Sequence, residues 1–222
     1  MALMNSSVAT SALGILAPTL HFEVGQVAKV PVLSFKEQEN SVERLSEECV
    51  SLSRDEYDSF ETSWDFFRHP MAYANGEGPT RIADTYARWE SECRERFDRL
   101  KCNEEELNRI FARIYHMEGE VPIEVPDDKV SVRLADRARD ARSLVSYIVG
   151  CVFGRYSWEC GALAIANQGE TVRDYCSWSR VAGEDLFFVP DNDNVLPVLA
   201  DEWFDDDIVT DDCRSVVRAL NG

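Results

Sequence analysis

The sequence contains no Cys-x-x-Cys pair, no Pro-Pro dipeptide, no Gly-x-Ser-x-Gly elbow and no glycine-rich loop set between a strand and a helix. Each absence removes a class of chemistry. The only candidate phosphate loop, Gly76-Glu-Gly78, has neither a preceding strand nor a third glycine and reads as a turn. Without a Pro-Pro dipeptide of the sort that positions a flipped base, no complete base-modifying enzyme is visible. The three histidines, His21, His69 and His116, are neither four residues apart nor grouped with cysteines, so metal sites and catalytic triads find no support. Catalytic, cofactor-binding and metal-ligating residues are therefore expected to be absent from this chain. The apolar patch from Val8 to Leu16 is broken by Thr10 and Ser11, follows no Lys or Arg, and is too short to cross a bilayer. Neither a signal peptide nor a membrane anchor is expected. Seven cysteines, an odd number, argue against a disulfide framework and for buried, reduced thiols in the cytoplasm.

What is present is an ordinary globular composition, 45% hydrophobic over 222 residues, enough for one good core or for two domains of unequal size. Net charge is −18 and unevenly spread. The stretch from Val181 to Gly222 holds eleven acids against Arg214 and Arg218, a balance of −9, which leaves −9 for the first 180 residues. Such an end repels phosphate unless it faces away from nucleic acid or docks on a basic partner. Fourteen of the 23 basic residues fall between Arg81 and Arg155, so any nucleic-acid contact should come from there. Most of these arginines have a carboxylate three or four residues away, as in Arg133/Asp136, Asp136/Arg139 and Arg137/Asp140, and paired arginines make a poor phosphate track. Arg142 and Arg155 lack obvious partners.

Apolar spacing gives the expected elements. Asn5 can cap a short helix through Leu16, and His21 to Leu33 has the alternation of a strand-turn-strand element carrying Lys29. These two cannot enclose a core alone, so the start resembles the end of a domain completed elsewhere. Val42, Leu45, Cys49 and Leu52 form the seam of a helix beginning near Glu39. An aromatic cluster, Tyr57, Phe60, Trp64, Phe66 and Phe67, follows. Ile82, Tyr86, Trp89, Cys93, Phe97 and Leu100 make the cleanest stripe, opposed by Asp84/Arg88, Arg88/Glu92, Glu92/Arg96 and Glu95/Arg99 pairs. Asn103 and Glu106 then read as a capping box opening a separate helix with Leu107, Ile110, Phe111 and Ile114. A further helix from about Val132 to Phe153 presents Leu134, Ala138, Ala141, Val145, Ile148 and Val152, with Gly150-x-x-x-Gly154 allowing close approach or ending the helix. Beyond Gly161 come short apolar runs (162–166, 186–189, 195–199) and a helix-like end, Cys213 to Leu220. Two isolated chemistries carry little weight. Asp127-Asp128-Lys129 resembles a fragment of a nuclease metal site but reads better as helix-start residues. Arg109 and His116, two turns apart, match a spacing used by some helical ribonucleases but read better as surface charge.

Several separated motifs, in one order, carry a resemblance. SWDFFRHPM (63–71), NEEELNRIFARIY (103–115), Ala135-Asp136, SLVSY (143–147), GCVFGRYS (150–157), NDNVLPVL (192–199) and WFDDDIV (203–209) are similar to the region after the catalytic domain in the PglX family of BREX phage-defence adenine DNA methyltransferases. NSSVA (5–9) and PTLHFEVGQVAKVPV (18–32) resemble the helix and strand that close a target-recognition domain of restriction-modification type. The resemblance implies a fragment or split subunit whose catalytic and S-adenosylmethionine motifs lie on other polypeptide, so none of the family's catalytic residues maps here. The implied fold is α+β, predominantly α-helical: the end of a target-recognition domain (1–36), an amphipathic helical spacer (37–120) and an irregular α+β acidic segment (121–222). The implied partners are DNA, through the parent enzyme, and the missing methyltransferase domain or other phage-defence subunits, with Lys29, Arg142 and Arg155 as DNA-contact candidates. A rigid spacer would hold the recognition domain at a set distance from the base taken into the pocket. The alternative from another class is an acidic, non-enzymatic interaction module or DNA mimic.

Overall fold

The computed structural model describes residues 1–17, 22–34, 36–72, 81–158, 161–165, 167–179 and 190–191. The turn expected at Gly76, the runs at 186–189, 192–199 and 203–209, the helix-like end and nearly all of the acidic stretch lie outside these residues. The described chain is helical: α1 (Ser7–Leu16), α2 (Val24–Val27), α3 (Glu39–Tyr57), α4 (Ile82–Ile114), α5 (Arg137–Val152) and α6 (Val172–Ser179), with short 3-10 turns. Among the described residues there is no strand; the β character expected beyond residue 121 is reduced to one isolated antiparallel bridge between Tyr156 and Leu163. The chain divides into two compact units, one of Met1–Glu56 with Cys93–Leu134 and one of Tyr57–Glu92 with Ala135–Gly222.

In the first unit the N-terminal residues contribute to a core. Ala2–Asn5 forms a 3-10 turn, and Ser6, not Asn5, caps α1 by accepting a hydrogen bond from the Ala9 N–H at 3.3 Å. Leu3 and Val8 pack with Val42 and Leu45 of α3 and with Leu107, Ile110 and Phe111 of α4. The Ser7 N–H donates to Asn108 Oδ1 at 2.9 Å, tying the start of α1 to α4. The expected strand-turn-strand is instead a four-residue helix. Glu23 and Gln26 close a capping box around Val24–Val27, which satisfies backbone donors locally and leaves the alternating valines with no strand partner. Residues 31–34 have no regular structure and are anchored by Tyr115, whose hydroxyl donates to the Pro31 carbonyl at 2.5 Å.

Helix α3 begins at Glu39 as expected and buries Val42 and Leu45, while Cys49 and Leu52 pack against Phe97, Leu100 and Val132. The two helices expected around Asn103 are one helix of 33 residues, about 50 Å long. The apolar stripe explains why: Leu100, Asn103, Leu107 and Ile110 keep the three- and four-residue step through the supposed break, and Lys101-Cys102 contains no Gly or Pro. Asn103 is itself buried on that stripe, so burying the stripe outweighs the few tenths of a kcal/mol by which asparagine disfavours a helix interior.

In the second unit α5 starts at Arg137, five residues later than expected, with Asp136 accepting from the Arg139 N–H at 2.7 Å. Its buried face is rotated from the expected one: Ala138, Ala141 and Val145 are exposed, and Asp140, Leu144, Tyr147, Ile148, Cys151 and Val152 are inside. A buried carboxylate sets this rotation. Asp140, 1% exposed, accepts from Trp89 Nε1 (3.1 Å), the Asp136 N–H (2.9 Å) and Arg139 Nε (2.8 Å). Tyr147 then lies at the centre of an aromatic cluster with Phe66, Tyr156, Trp158 and His69, ring centroids 5.3–6.0 Å away. Both readings of Gly150-x-x-x-Gly154 hold. Gly154, at φ 70°, ends α5 with the Arg155 N–H bonded to the Gly150 carbonyl, while a Cβ on Gly150 would lie 2.6 Å from the Tyr156 ring.

Candidate functional site

The structure places the three DNA-contact candidates as follows. Lys29, in the first unit, is exposed on the turn after α2. Arg142 and Arg155 belong to the second unit, Arg142 on the outer face of α5 and Arg155 just beyond its last turn, both exposed. Among the described residues, none of the three forms an ion pair. The arginines around them do, with partners that differ from the expected ones: Arg99 holds Glu48 through two bonds (2.5 and 3.0 Å), Arg133 holds Glu56 at 2.6 Å, and Arg139 holds Asp140. Of the four expected pairs along α4, Arg88–Glu92 forms, at 3.6 Å. Tertiary geometry has spent these guanidinium groups, whereas Lys29, Arg142 and Arg155 have no ion-pair partner among the described residues.

Arg155 is the candidate with a built surrounding. The segment after α5 turns back on itself: Arg155 accepts at its carbonyl from the Ala164 N–H (2.9 Å), and Tyr156 bridges to Leu163. Gly161, at φ 68°, lets the Phe67 ring approach to where a Cβ would be 2.5 Å away, and the Ala162 N–H donates to the Phe67 carbonyl. The return loop is thereby stitched to the aromatic loop that precedes α4. Between them lies a groove of about 250 Å³ lined by Glu61, Ser63, Trp64, Arg155, Tyr156 and Leu163, among others. The Arg155 guanidinium sits over the Tyr156 ring at 5.4 Å. Tyr156 is held above its ordinary acidity range by burial and then by Glu61, so its hydroxyl stays protonated.

Trp64 is the residue that spacing did not single out. It is 99% exposed, while Phe66, two residues on, is buried against Tyr147 and Tyr156. Its loop is nonetheless pinned: Ser63 Oγ donates to Asp58 Oδ1 at 2.5 Å and accepts from the Asp65 N–H at 3.0 Å, fixing both neighbours of the indole. The sequence signal was the polar flank of Trp64, Ser63 before and Asp65 after, within an otherwise apolar cluster.

Other candidates lose their chemistry in three dimensions. A groove of about 360 Å³ in the first unit, lined by Ala2, Ser46, Cys49, Glu104 and Leu107, holds a thiol that burial pushes up to about 11 and so keeps unreactive at neutral pH. Asp127 is paired with Lys101 Nζ at 2.6 Å and lies in a 3-10 turn rather than at the start of a helix. Arg109 is bonded to Glu106, and His116 falls beyond the end of α4 at φ 53°, so the two-turn helical register assumed for a ribonuclease pair does not exist. Among the described residues no three His, Cys, Asp or Glu side chains converge as metal ligands. Among the described residues there is likewise no strand followed by a glycine loop to cradle a cofactor, and no helix long and apolar enough to cross a membrane.

No family model matches the chain. Among curated proteins, the chain is 35% identical over 209 residues to the adenine-specific methyltransferase PglX of Lacticaseibacillus casei (strain Zhang), covering 93% of this chain and 16% of that protein. It is 28% identical over 239 aligned positions to the adenine-specific methyltransferase BrxX of Escherichia coli O9:H4 (strain HS), covering 100% of this chain and 19% of that protein. The chain thus spans less than a fifth of either relative, and its likeness runs through both of its units. By these matches the chain belongs to the PglX family of adenine-specific methyltransferases, of which it represents one region.

Proposed function

We propose that this chain is the DNA-positioning region of an adenine-specific DNA methyltransferase of a BREX phage-defence system, working in the cytoplasm with the methyl-transfer machinery in another part of the parent enzyme. The observation that carries this reading is the combination of near-complete coverage of the chain with less than a fifth of each relative. The sequence lacks a glycine-rich cofactor loop, and the described residues do not fit S-adenosylmethionine, so the cofactor would be held by another part of the parent enzyme. The residues this chain offers instead are Lys29, Arg142 and Arg155, cations left open to phosphate, and a helix α4 long enough to act as a spacer. The segments 1–36, 37–120 and 121–222 would correspond to the end of the recognition domain, the spacer and an acidic end. The spacer's task would be geometric: to set which base reaches the pocket relative to the bases being read.

Titration with duplex DNA over a series of salt concentrations tests this. A positioning region binds weakly and with a salt slope that falls by roughly 0.9 for each of Lys29→Ala, Arg142→Ala and Arg155→Ala that removes a phosphate contact. Binding to polylysine with no affinity for DNA would instead mark an acidic mimic, the reading favoured by the −9 balance of residues 181–222. Methyl transfer by the purified chain alone would overturn both.

A further inference from the structure

We propose that the groove between Trp64 and Arg155 takes one unpaired nucleotide of DNA, its base stacked on the Trp64 indole and its phosphate at the Arg155 guanidinium. The inference rests on the DNA-positioning reading and goes beyond it by assigning a strand state and a subsite. Three observations within the second unit carry it. First, Trp64 exposes 99% of its surface on a loop that Ser63 pins on both sides, so the indole is presented instead of being left to collapse onto the neighbouring aromatic cluster. A bare aromatic face on a pinned loop is what a base needs for stacking, and every base offers a matching face.

Second, the groove beside the indole combines a cation with an acceptor. Arg155 is held over Tyr156 and has no ion-pair partner among the described residues, and Glu61 also lines the groove, within reach of the Tyr156 hydroxyl. A nucleotide supplies the complement to both: a phosphate for the guanidinium and an exocyclic amine or ring N–H for the carboxylate. Third, the volume of about 250 Å³ falls just under the range of about 300–1,000 Å³ that holds drug-sized ligands. That suits a single planar ring system and is too small for a docked helix. In a duplex the base faces are stacked on their neighbours and cannot reach Trp64, so the subsite selects unpaired strands, such as those next to a base drawn out of the helix.

The test uses the 222-residue chain, a fluorescently labelled oligodeoxyadenylate, and the same strand paired with oligothymidylate, at low salt. Trp64→Ala is expected to weaken single-strand binding about five- to a hundred-fold, with Trp64→Phe retaining most of it, as stacking requires. Because Trp64 is 99% exposed, both variants should keep the parent circular dichroism spectrum. Arg155→Ala should lower the single-strand salt slope by about 0.7. Single-strand affinity unchanged by Trp64→Ala overturns the proposal. If duplex binding persists in that case, the DNA-positioning reading stands without it; if neither strand form binds the parent chain, both fail. Loss of self-association in Trp64→Ala, seen by sedimentation with no effect on the oligonucleotide, would assign the indole to a second copy of the chain and also overturn it.

Discussion

Replacing Asp140 by alanine should destabilise the second unit by about 3 kcal/mol, and the origin of that figure can be followed bond by bond. The carboxylate accepts from three donors that differ in their access to water. Arg139 has a third of its side chain exposed and Asp136 lies at the surface, so water can replace the lost partner for both at a cost of well under 1 kcal/mol each. Trp89 is 3% exposed, and its indole N–H would be left buried without an acceptor, a cost of about 1–3 kcal/mol. Loss of the N-terminal geometry of α5 adds roughly another 1 kcal/mol. Asp140→Asn keeps an oxygen for Trp89 and the Asp136 N–H and gives up only the Arg139 contact, so it should cost about 1 kcal/mol. Urea unfolding followed by circular dichroism measures both. A double-mutant cycle with Trp89→Phe should return a coupling of about 1–2 kcal/mol, because the phenyl ring no longer needs the acceptor. Equal costs for the alanine and asparagine variants, or no coupling to Trp89, would refute the view that this carboxylate sets the rotation of α5.

Two further outcomes follow from the same geometry. Burial lowers the His69 pKa from 6.5 to about 4, against a smaller opposing effect of Asp140, and Nδ1 accepts from the Met71 N–H, which requires the neutral ring. The unfolded chain therefore binds the extra proton first: stability is retained above pH 6.5 and falls, by up to about 3 kcal/mol, as the pH drops from 6.5 to about 4. His69→Gln should flatten that part of the curve, and an unchanged pH dependence would contradict it. His116 occupies a left-handed position at φ 53° where α4 ends, so His116→Gly should stabilise the first unit by about 0.5–1 kcal/mol in a thermal melt, whereas His116→Val should destabilise it.

The helices with clean apolar seams could be read from the sequence: α3 starts at Glu39, and the stripe from Ile82 to Leu100 is the inner face of α4. The misreadings share a cause, which is that a local rule was applied where a distant partner decides. Asn103 and Glu106 form a plausible cap in isolation, but Leu107 and Phe111 find Leu3 and Val42 only if the helix runs on. Glu23 to Pro31 alternates like a strand, yet no strand lies among the described residues for it to pair with, and Gln26 closes a helical turn instead. Asp140 read as one member of a surface pair because nothing in its neighbourhood announces Trp89, 51 residues earlier. The open cations were partly legible, since Arg142 has no carboxylate three or four residues away. The companion of Arg155, Trp64, was not, because hydrophobic pattern alone does not separate a bare indole from the buried Phe66 two residues on.

The most direct measurement of the central claim is made in the full-length Lacticaseibacillus casei relative, by inserting one helical turn into the counterpart of α4 and mapping methylated adenines across a genome alongside S-adenosylmethionine binding. A spacer that sets distance should lose methylation at the parent's sites, or move it, with cofactor affinity intact. Methylation of the same adenines at the parent rate would contradict it.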